Sequence, residues 1–344
     1  MGQVLILGTG GTIAGTGSDP HRAWAYRAAQ LGVAELVAAV PALAGVQLRT
    51  RQVAQVDSKD MAWPVWQAMA QALDEALRDE AIEAVVVTHG TDTLEETAFL
   101  LHQLDDGRKP IVLTAAMRPA TAPDADGPRN LLDAVRVARA AASCGWGGVV
   151  AVLHGRVWSG AQVRKAHSHA LDAFDGGGAA PLATLLPRAE GSQSAAADAV
   201  WEAGAAPWPA GGGLGWALLR QPEAKTPPRV EVVFSHADAD GWLVDAALRQ
   251  SADDARASDP QGRAQALRGL VVAATGHGTV HARLEAALQR AEAAGVVVWR
   301  SSRVARGGVM PRDGDVWPAA GTLTPAQARV ALQLQLLRAQ TEPA

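Results

Sequence analysis

Two short segments carry side chains that could do nucleophilic chemistry. Residues 8–15, GTGGTIAG, place the hydroxyl of Thr12 among residues too small to shield it. Residues 88–93, THGTDT, place the hydroxyl of Thr91 beside the carboxylate of Asp92. A hydroxyl that a neighbouring base activates can attack a carbonyl carbon and form a covalent intermediate. Both segments are therefore candidates for a site of nucleophilic catalysis.

The glycine-rich segment has two other interpretations. A glycine loop after a first strand is typical of dinucleotide-binding proteins, whose fingerprint is G-x-G-x-x-G. The spacing here is G-x-G-G-x-x-x-G, and residues 16–21 indicate a loop rather than a helix. The glycines alone also fit a tight turn with positive φ. The nine histidines show no spacing such as H-E-x-x-H, and His89 is expected to be structural, so we expect neither a metal nor a cofactor.

The Thr-Asp segment lies between a predicted strand and a predicted helix. The strand ends at Thr88, and Thr93 with Glu96 forms a predicted capping box for the helix. Backbone N–H groups and the helix dipole converge at such a helix start, where they favour a carboxylate or a developing oxyanion. Because Thr93 fills the capping role, Asp92 is expected to be free for function.

Both segments follow strands in a repeating pattern of short apolar runs and amphipathic stretches. The pattern predicts strands at residues 3–7, 46–56, 84–88, 110–113 and 149–154, and helices at residues 31–40, 61–79, 93–104 and 127–142. Asp126 is a predicted cap for the last helix. The alternation predicts an α/β fold, a mostly parallel sheet flanked by helices. Such sheets bind ligands at the carboxyl ends of their strands, where both segments lie.

Composition divides the chain into three parts. Residues 1–190 form a predicted catalytic α/β domain, residues 191–228 a linker, and residues 229–344 a smaller C-terminal α/β domain. Gly, Ala and Pro dominate from about residue 176 to residue 228, which is typical of a linker or surface excursion. The elements predicted after it are strands at residues 230–234, 270–273 and 296–298, and helices at residues 282–294 and 325–340.

The bulk composition limits the possible partners. The net charge is −4, with 31 basic and 35 acidic side chains evenly mixed, which argues against a nucleic-acid partner. Cys144 is the single cysteine, so no intrachain disulfide can form. No leader pattern precedes residues 4–7, and no apolar run approaches the ~18–20 residues of a membrane span. We expect a soluble, cytoplasmic protein with no membrane partner.

Six stretches of the sequence together match the pattern of one family. TGGTIAG and HGTDT look like that family's two signature motifs, and four further stretches follow in the same order: AMRP at 116–119, ADGPRN at 125–130, SSRV at 301–304 and GTL at 321–323. The chain thus resembles the bacterial L-asparaginase (asparaginase/glutaminase) family. The resemblance implies two domains assembled as a homotetramer of intimate dimers, in which a neighbouring subunit helps to close each active site.

The resemblance also implies catalytic roles. Thr12 resembles the family's mobile-loop nucleophile, and Tyr26 resembles the tyrosine that hydrogen-bonds to it. Thr91, Asp92 and Lys165 resemble a second, triad-like set. A lysine can serve as a base only if its pKa is lowered or its proton is shared, which a Thr–Lys–Asp chain would supply.

Substrate-binding roles are implied in the same way. Ser58 resembles the serine that holds the α-carboxylate of the substrate, and Ala116 resembles the alanine whose carbonyl receives the amide nitrogen. Lys59 stands where the family usually has glutamine, and it is expected to add a cation near the substrate's α-groups. The predicted substrate-binding residues are Gly11, Ser58, Lys59, Thr91, Asp92 and Ala116.

The C-terminal part departs from the family pattern at two places. Residues 276–279, GHGT, replace a Gly-Asn-Gly-Asn loop that normally reaches into the neighbouring site. The short loop between Arg306 and Pro318 holds no clear match for the glutamate that binds the α-ammonium, for which Asp313 and Asp315 are the candidate substitutes.

These observations predict hydrolysis of a small amino-acid amide through a threonine acyl-enzyme, with L-asparagine giving L-aspartate and ammonia. An amide carbon is a poor electrophile, so the hydroxyl must be activated and the tetrahedral oxyanion stabilised. Three alternatives stay open: a glutaminase or deamidase on the same scaffold, a non-catalytic amino-acid-binding protein, and a nicotinamide-dependent oxidoreductase. The order in which the two threonines act is also open.

Overall fold

The computed structural model describes residues 2–17, 25–186, 201, 207–256 and 266–341. They belong to two compact units, residues 1–216 and residues 217–344. The first unit is built on a mostly parallel sheet flanked by helices and the second on a smaller α/β sheet, which confirms the predicted fold class. The boundary at residues 216/217 falls within the segment that the sequence predicts as a linker.

The first unit contains a seven-stranded sheet in the order β11-β8-β7-β6-β5-β1-β4. β4, β1, β5, β6 and β7 run parallel, whereas β8 and β11 add an antiparallel edge. Two short antiparallel ribbons, β2/β3 and β9/β10, lie outside it. The strands are β1 (Gln3–Gly10), β2 (Thr16–Gly17), β3 (Tyr26–Arg27), β4 (Leu48–Val56), β5 (Ile82–Thr88), β6 (Pro110–Thr114), β7 (Gly148–Leu153), β8 (Arg156–Ser159), β9 (Arg164–Lys165), β10 (Phe174–Asp175) and β11 (Ala183–Thr184).

Helices cover both faces of this sheet, as the alternation of side chains along each strand requires. On one face Val4, Ile6 and Val86 are fully buried and belong to a core shared with α1 and α4, while α2 contacts β4 and β5 and α3 contacts β7. Burial of a Val, Leu or Ile side chain contributes about 1.5–3 kcal/mol. The helices are α1 (Val33–Ala38), α2 (Trp63–Arg78), α3 (Leu94–Leu104) and α4 (Gly127–Ser143).

The described part of the predicted linker is packed rather than extended. Trp208 is buried in the core that lies against α4. The backbone N–H groups of residues 212–215 donate to the carbonyls of residues 102–105, at 2.7–3.1 Å. They thereby satisfy the end of α3, whose last carbonyls have no partner within the helix. Residues 191–200 of the predicted linker lie outside the described residues.

The second unit is built on a parallel sheet, β12-β13-β14, covered by three helices. Its strands are β12 (Arg229–Phe234), β13 (Leu267–Ala274) and β14 (Val297–Ser302), and its helices are α5 (Trp242–Ala255), α6 (Ala282–Ala293) and α7 (Pro325–Thr341). The sequence predicted these elements except α5, and in the first unit it missed the short strands β2, β3 and β8 to β11. Among the described residues, no helix combines the length and apolarity that crossing a bilayer requires.

The buried carboxyl of Asp105 generates a prediction about stability. One of its oxygens accepts a hydrogen bond from Gly107 N at 3.1 Å, and the other has no hydrogen-bond partner among the described residues. Burial raises the pKa of Asp105 to about 6. The folded state therefore favours the protonated carboxyl of Asp105 over the carboxylate. This stabilising contribution is complete below the unfolded pKa of about 4 and is lost as the pH rises through about 6.

We expect Asp105→Asn to raise the melting temperature at pH 7.5 and to give a smaller gain at pH 4.5, where the native carboxyl is protonated. Melting curves at both pH values measure this. Asp106→Asn serves as the control, because the Asp106 carboxylate is 41% exposed and pairs with Arg108. A gain for Asp105→Asn that does not depend on pH would contradict the assignment.

Candidate active site

The two loops that carry the predicted nucleophiles meet at one edge of the sheet. β1 and β5 are neighbouring parallel strands with Gly8 opposite Thr88, so the residues after both strands emerge side by side. Gly11 has a φ of +81°, and a Cβ atom there would lie 2.3 Å from the Cα of Gly90. Only glycine combines this conformation with so close an approach. The glycines therefore fit the packing of one loop against the other.

Thr12 starts a short 3-10 turn, residues 12–14, and is 7% exposed. Its hydroxyl shares a 2.6 Å hydrogen bond with the hydroxyl of Tyr26, which lies on β3. Desolvation by burial raises the pKa of Tyr26, and the negative charges of Asp57 and Asp92 raise it further. The phenol therefore stays protonated at neutral pH, and it orients the hydroxyl of Thr12.

Lys165 connects the two groups of the second motif. Its ammonium donates to the Thr91 hydroxyl at 2.9 Å and to the Asp92 carboxylate at 2.6 Å. Lys165 belongs to β9, where its backbone pairs with Phe174 of β10. The backbone N–H of Lys165 donates to a carboxylate oxygen of Glu95, in the first turn of α3, at 2.9 Å. Two chain segments that are far apart in sequence are thus fixed to each other at the backbone and at the side chain.

The predicted capping box is wrong. Thr93 occupies the N-cap position of α3, but its side chain makes no cap hydrogen bond. Its hydroxyl donates instead to the carbonyl of Ser58 at 2.8 Å, and the Ser58 hydroxyl accepts from Asp92 N at 3.2 Å. Hydrogen bonds to the 58–60 turn have replaced local capping. This arrangement still leaves the Asp92 side chain available to Lys165.

His89 has a structural role, because its buried ring is held by hydrogen bonds inside the protein. Its ring is fully buried, with one nitrogen 2.7 Å from the Gly90 carbonyl and the other 2.9 Å from the Thr97 hydroxyl. Desolvation lowers its pKa to about 4, so the ring is neutral near pH 7. It supports the turn that presents Thr91 and Asp92.

A cavity of about 550 Å³ opens beside these groups. It brings together the five predicted catalytic residues with four residues to which the sequence assigned no role: Thr12, Tyr26, Thr91, Asp92 and Lys165, with Met117, Arg118, Ser168 and His169. Five side chains from four separate stretches of sequence thus share one space, of a size typical for small-molecule sites.

Several predicted substrate-binding residues do not line this cavity. Ser58 is 2% exposed and supports the Asp92 backbone, and Ala116 is fully buried. Gly11 makes the backbone contact between the loops described above. Lys59 differs most from its prediction, because its ammonium is exposed and pairs with Asp60 at 2.5 Å and with Asp57 at 3.4 Å. The expectation of a cation beside the substrate is therefore corrected.

The four additional lining residues come from two loops. The backbone N–H groups of Met117 and Arg118 both donate to the carboxylate of Asp126, the N-cap residue of α4. This carboxylate also accepts from the side chain of Asn130 on α4, but from no backbone N–H of the helix. Arg118 then donates to the His169 carbonyl at 2.8 Å. The motif AMRP signalled the first loop, whereas no pattern in the sequence pointed to Ser168 and His169.

Two candidate residues of the second unit, Asp315 and Thr279, have their own partners. Asp315 accepts a hydrogen bond from Arg312 N at 2.9 Å and pairs with the guanidinium of Arg300 at 2.5 Å. The Thr275 and Thr279 hydroxyls bond each other at 2.8 Å across the 276–278 turn. Within the described ranges, no group of three or more His, Cys, Asp or Glu side chains could hold a metal ion.

Comparisons with known proteins agree along nearly the whole chain. Family models for the asparaginase N-terminal domain and for the glutaminase/asparaginase C-terminal domain match residues 3–196 and 229–344. A probable periplasmic L-asparaginase of Haemophilus influenzae is 32% identical, over 97% of this chain and 88% of that protein. A glutaminase-asparaginase of Pseudomonas fluorescens biotype A is 30% identical, over 99% and 88%. The crystal structure of a probable cytoplasmic L-asparaginase from Campylobacter jejuni matches with a TM-score of 0.82 at 30% identity, covering 98% of this chain and 95% of that one.

The fold and the cavity indicate an α/β enzyme. Two threonine hydroxyls, a lysine and a carboxylate line its cavity, near the carboxyl ends of parallel strands. The chain belongs to the asparaginase family of amidohydrolases. The resemblance carried by the six sequence stretches is thereby confirmed.

The contact between the two loops predicts a large effect for Gly11→Ala. Gly45→Ala is the matched control, because Gly45 has a similar φ of +83° but nothing within 4 Å of an added Cβ. Both variants place a Cβ atom on a backbone of positive φ, at a cost of about 1–3 kcal/mol, whereas only Gly11→Ala also forces the loops apart. We expect Gly11→Ala to lower both the melting temperature and the activity more than Gly45→Ala does. Equal melting temperatures and activities for the two variants would show that the close approach is unimportant.

Proposed function

We propose that the protein hydrolyses the side-chain amide of L-asparagine to L-aspartate and ammonia through a threonine acyl-enzyme. One observation carries the proposal: Lys165 hydrogen-bonds to both Thr91 and Asp92 in the cavity that Thr12 and Tyr26 also line. A non-catalytic binder of amino acids would need a carboxylate such as Asp92 and a cation such as Lys165. It would not need two threonine hydroxyls, one hydrogen-bonded to the Tyr26 phenol and the other to the Lys165 ammonium.

The proposed reaction begins with one threonine hydroxyl attacking the amide carbon. Its proton passes to the Thr91–Lys165–Asp92 chain, and the C–O bond forms as the carbonyl becomes an oxyanion. Collapse of this intermediate breaks the C–N bond, and the nitrogen leaves as ammonia after it takes up a proton. Water then attacks the ester, which releases L-aspartate and restores the hydroxyl. Backbone N–H groups at the start of α3 supply positive potential for the oxyanion.

Tyr26 and Lys165 have different parts in this scheme. The raised pKa of Tyr26 favours an orienting role for the phenol over a tyrosinate base. The Lys165 ammonium can accept a proton only after it has passed one on, and the carboxylate of Asp92 at 2.6 Å is the adjacent acceptor. Asp92 is 55% exposed on its side chain, so the same carboxylate can also face the α-ammonium of the substrate.

L-Glutamine is the second candidate substrate. The cavity of about 550 Å³ has room for one more methylene than L-asparagine carries, and the Pseudomonas fluorescens relative is described as a glutaminase-asparaginase. One methylene in a pocket changes selectivity by only about 10- to 200-fold. Rates with the two amides, measured side by side, determine the preference.

A homo-oligomeric assembly and a cytoplasmic location are further parts of the proposal. Phe234, Trp242 and Leu243 of the second unit are 54–65% exposed, and large exposed apolar side chains are typical of a surface that another chain covers. The family resemblance favours a dimer of intimate dimers, which light scattering during gel filtration would test. The relatives include a probable cytoplasmic and a probable periplasmic enzyme, so cell fractionation must test the location.

Thr12→Ala and Thr91→Val test the hydroxyls. We expect each to lower kcat for ammonia release from L-asparagine by at least ~100-fold, because each removes a group with no substitute. A coupled ammonia assay measures this, and mass spectrometry of the acid-quenched enzyme assigns the acylated threonine. Wild-type protein that binds L-aspartate but releases no ammonia from either amide would refute the enzymatic proposal.

Lys165→Met tests the proton path, with Lys59→Met as its matched control. Lys165 is 17% exposed and bonded to the motif, whereas Lys59 is 62% exposed and pairs outside the cavity. We expect kcat to fall by at least ~100-fold for the first variant and by less than ~3-fold for the second. Similar losses in both would contradict the placement of the two lysines.

A further inference from the structure

The catalytic cavity has a second wall that the proposed reaction does not use. We call it the Arg118 wall, and it consists of Met117, Arg118, Ser168 and His169. Among the described residues, no hydrogen bond joins its side chains to the catalytic groups. L-Asparagine is smaller than the ligands that usually fill cavities of about 300–1,000 Å³, and this cavity measures about 550 Å³. The Arg118 wall therefore leaves space for a larger substrate.

Arg118 is held at its backbone and at its side chain. Its backbone N–H donates to the Asp126 carboxylate at 2.9 Å. Its Nη1 donates to the His169 carbonyl at 2.8 Å and to the Met117 carbonyl at 3.4 Å, and its Nε donates to Asp124 at 3.3 Å. Nη2 makes no hydrogen bond with the described residues, and 22% of the side chain is exposed. The guanidinium thus has N–H groups that an acceptor in the cavity can reach.

His169 supplies a second donor beside Arg118. Its ring packs edge-on against the ring of His167, with centroids 4.5 Å apart, and its Nδ1 lies 3.2 Å from the Ser168 hydroxyl. The Nδ1 of His167 accepts from the backbone N–H groups of His169 and Ala170, at 3.2 and 3.0 Å, which fixes the turn. When the Ser168 hydroxyl donates to Nδ1, the neutral ring of His169 carries its proton on Nε2. Nε2 is then a donor for a ligand.

The charges that line the cavity favour an anion at the Arg118 wall. Of the described lining residues, Asp92 is the only carboxylate, and Lys165 pairs with it at 2.6 Å. Arg118 is the second cation. Its acidic partner in the described part of the chain, Asp124, is 59% exposed on its side chain and does not line the cavity. Because exposed ion pairs of this kind contribute little, Arg118 is available to a carboxylate of the ligand.

The α-carboxylate of an amino-acid substrate does not fit this position. In the proposed reaction Asp92 faces the α-ammonium, and the α-carboxylate is attached to the same carbon. An arginine that held this carboxylate would lie next to Asp92, but Arg118 forms no ion pair with Asp92 and pairs with Asp124 instead. The carboxylate that suits Arg118 is therefore a second one. In an amide substrate, it belongs to the leaving amine.

We propose that the enzyme also hydrolyses β-aspartyl dipeptides, in which a second amino acid is joined to the side-chain carbonyl of aspartate. The carboxylate of the second amino acid accepts from Arg118 Nη2 and from His169 Nε2. This activity rests on the proposed function, because it uses the same catalytic groups.

The reaction follows the course of amide hydrolysis. A threonine hydroxyl attacks the isopeptide carbonyl, and a C–O bond forms as its proton passes to the Thr91–Lys165–Asp92 chain. The C–N bond then breaks, and the leaving amine takes up that proton. Water hydrolyses the ester and restores the hydroxyl. One dipeptide and one water thus give L-aspartate and one free amino acid.

Unaltered enzyme tests the proposal with two substrates that differ in one charge. β-L-Aspartylglycine carries the carboxylate of the leaving glycine, and β-L-aspartylglycinamide has a neutral amide in its place. We expect kcat/KM for the first to be at least ~10-fold higher, because only its carboxylate makes charge-assisted hydrogen bonds. Chromatography of the released glycine and glycinamide measures both rates. Ammonia release from L-asparagine is the reference for the same preparation.

Arg118→Met tests the guanidinium through the ratio of the two kcat/KM values, glycine over glycinamide. We expect this ratio to fall by at least ~10-fold, and Arg118→Lys, which keeps the charge, to retain part of it. A purely structural loss at the His169 carbonyl would slow both substrates alike and leave the ratio unchanged. Arg129→Met is the matched control, because Arg129 is 72% exposed and lies outside the cavity. It should change the ratio by less than ~3-fold.

Ammonia release from L-asparagine with no cleavage of β-L-aspartylglycine would overturn this proposal and leave the proposed function intact. No turnover of any of the three substrates would overturn both. Equal kcat/KM for the two dipeptide derivatives, or an unchanged ratio in Arg118→Met, would also overturn it, because Arg118 would then not bind the carboxylate. The substrate comparison uses unaltered protein, so it decides the matter even if the Arg118 variant does not fold.

Discussion

The hydrogen bonds of the Lys165 ammonium hold together a site drawn from distant parts of the chain. The ammonium reaches Thr91 at 2.9 Å and Asp92 at 2.6 Å, and only 17% of its side chain is exposed. A partly buried cation is unfavourable without such partners, because it has lost hydration. The rest of the site depends on this contact, since it fixes the only amine among the described residues that line the cavity against the hydroxyl of Thr91. The bond from Lys165 N to Glu95 adds a backbone anchor to the same contact.

The sheet explains why these groups can meet at all. Parallel strands deliver their following loops to one edge, and the adjacency of β1 and β5 puts the Thr12 loop beside the Thr91 loop. The close approach of Gly11 to Gly90 removes the space that side chains would fill. Because both loops follow predicted parallel strands, the sequence predicts that Thr12 and Thr91 lie at the same edge of the sheet. The five predicted catalytic residues do share one cavity.

What the sequence could not predict depended on long-range partners. The Thr93 hydroxyl bonds Ser58 and not its own helix, because a turn 35 residues away supplies a better-placed carbonyl. Lys59 turns outward because two carboxylates of its own turn pair with it. Trp208 packs into a core although its glycine-rich surroundings indicate a linker. Ser168 and His169 reach the cavity only through the β9/β10 ribbon, whose two-residue strands are too short to leave a periodic signal.

The central claim is that Thr91 and Lys165 act as one unit, and a double-mutant cycle tests it most directly. The kcat/KM for L-asparagine is measured for wild type, Thr91→Val, Lys165→Met and the double variant. If the ammonium works through the hydroxyl, kcat/KM of the double variant should be within ~3-fold of kcat/KM of the less active single variant. Losses that simply multiply would mean that the two residues act independently, and the proposed proton path would be wrong.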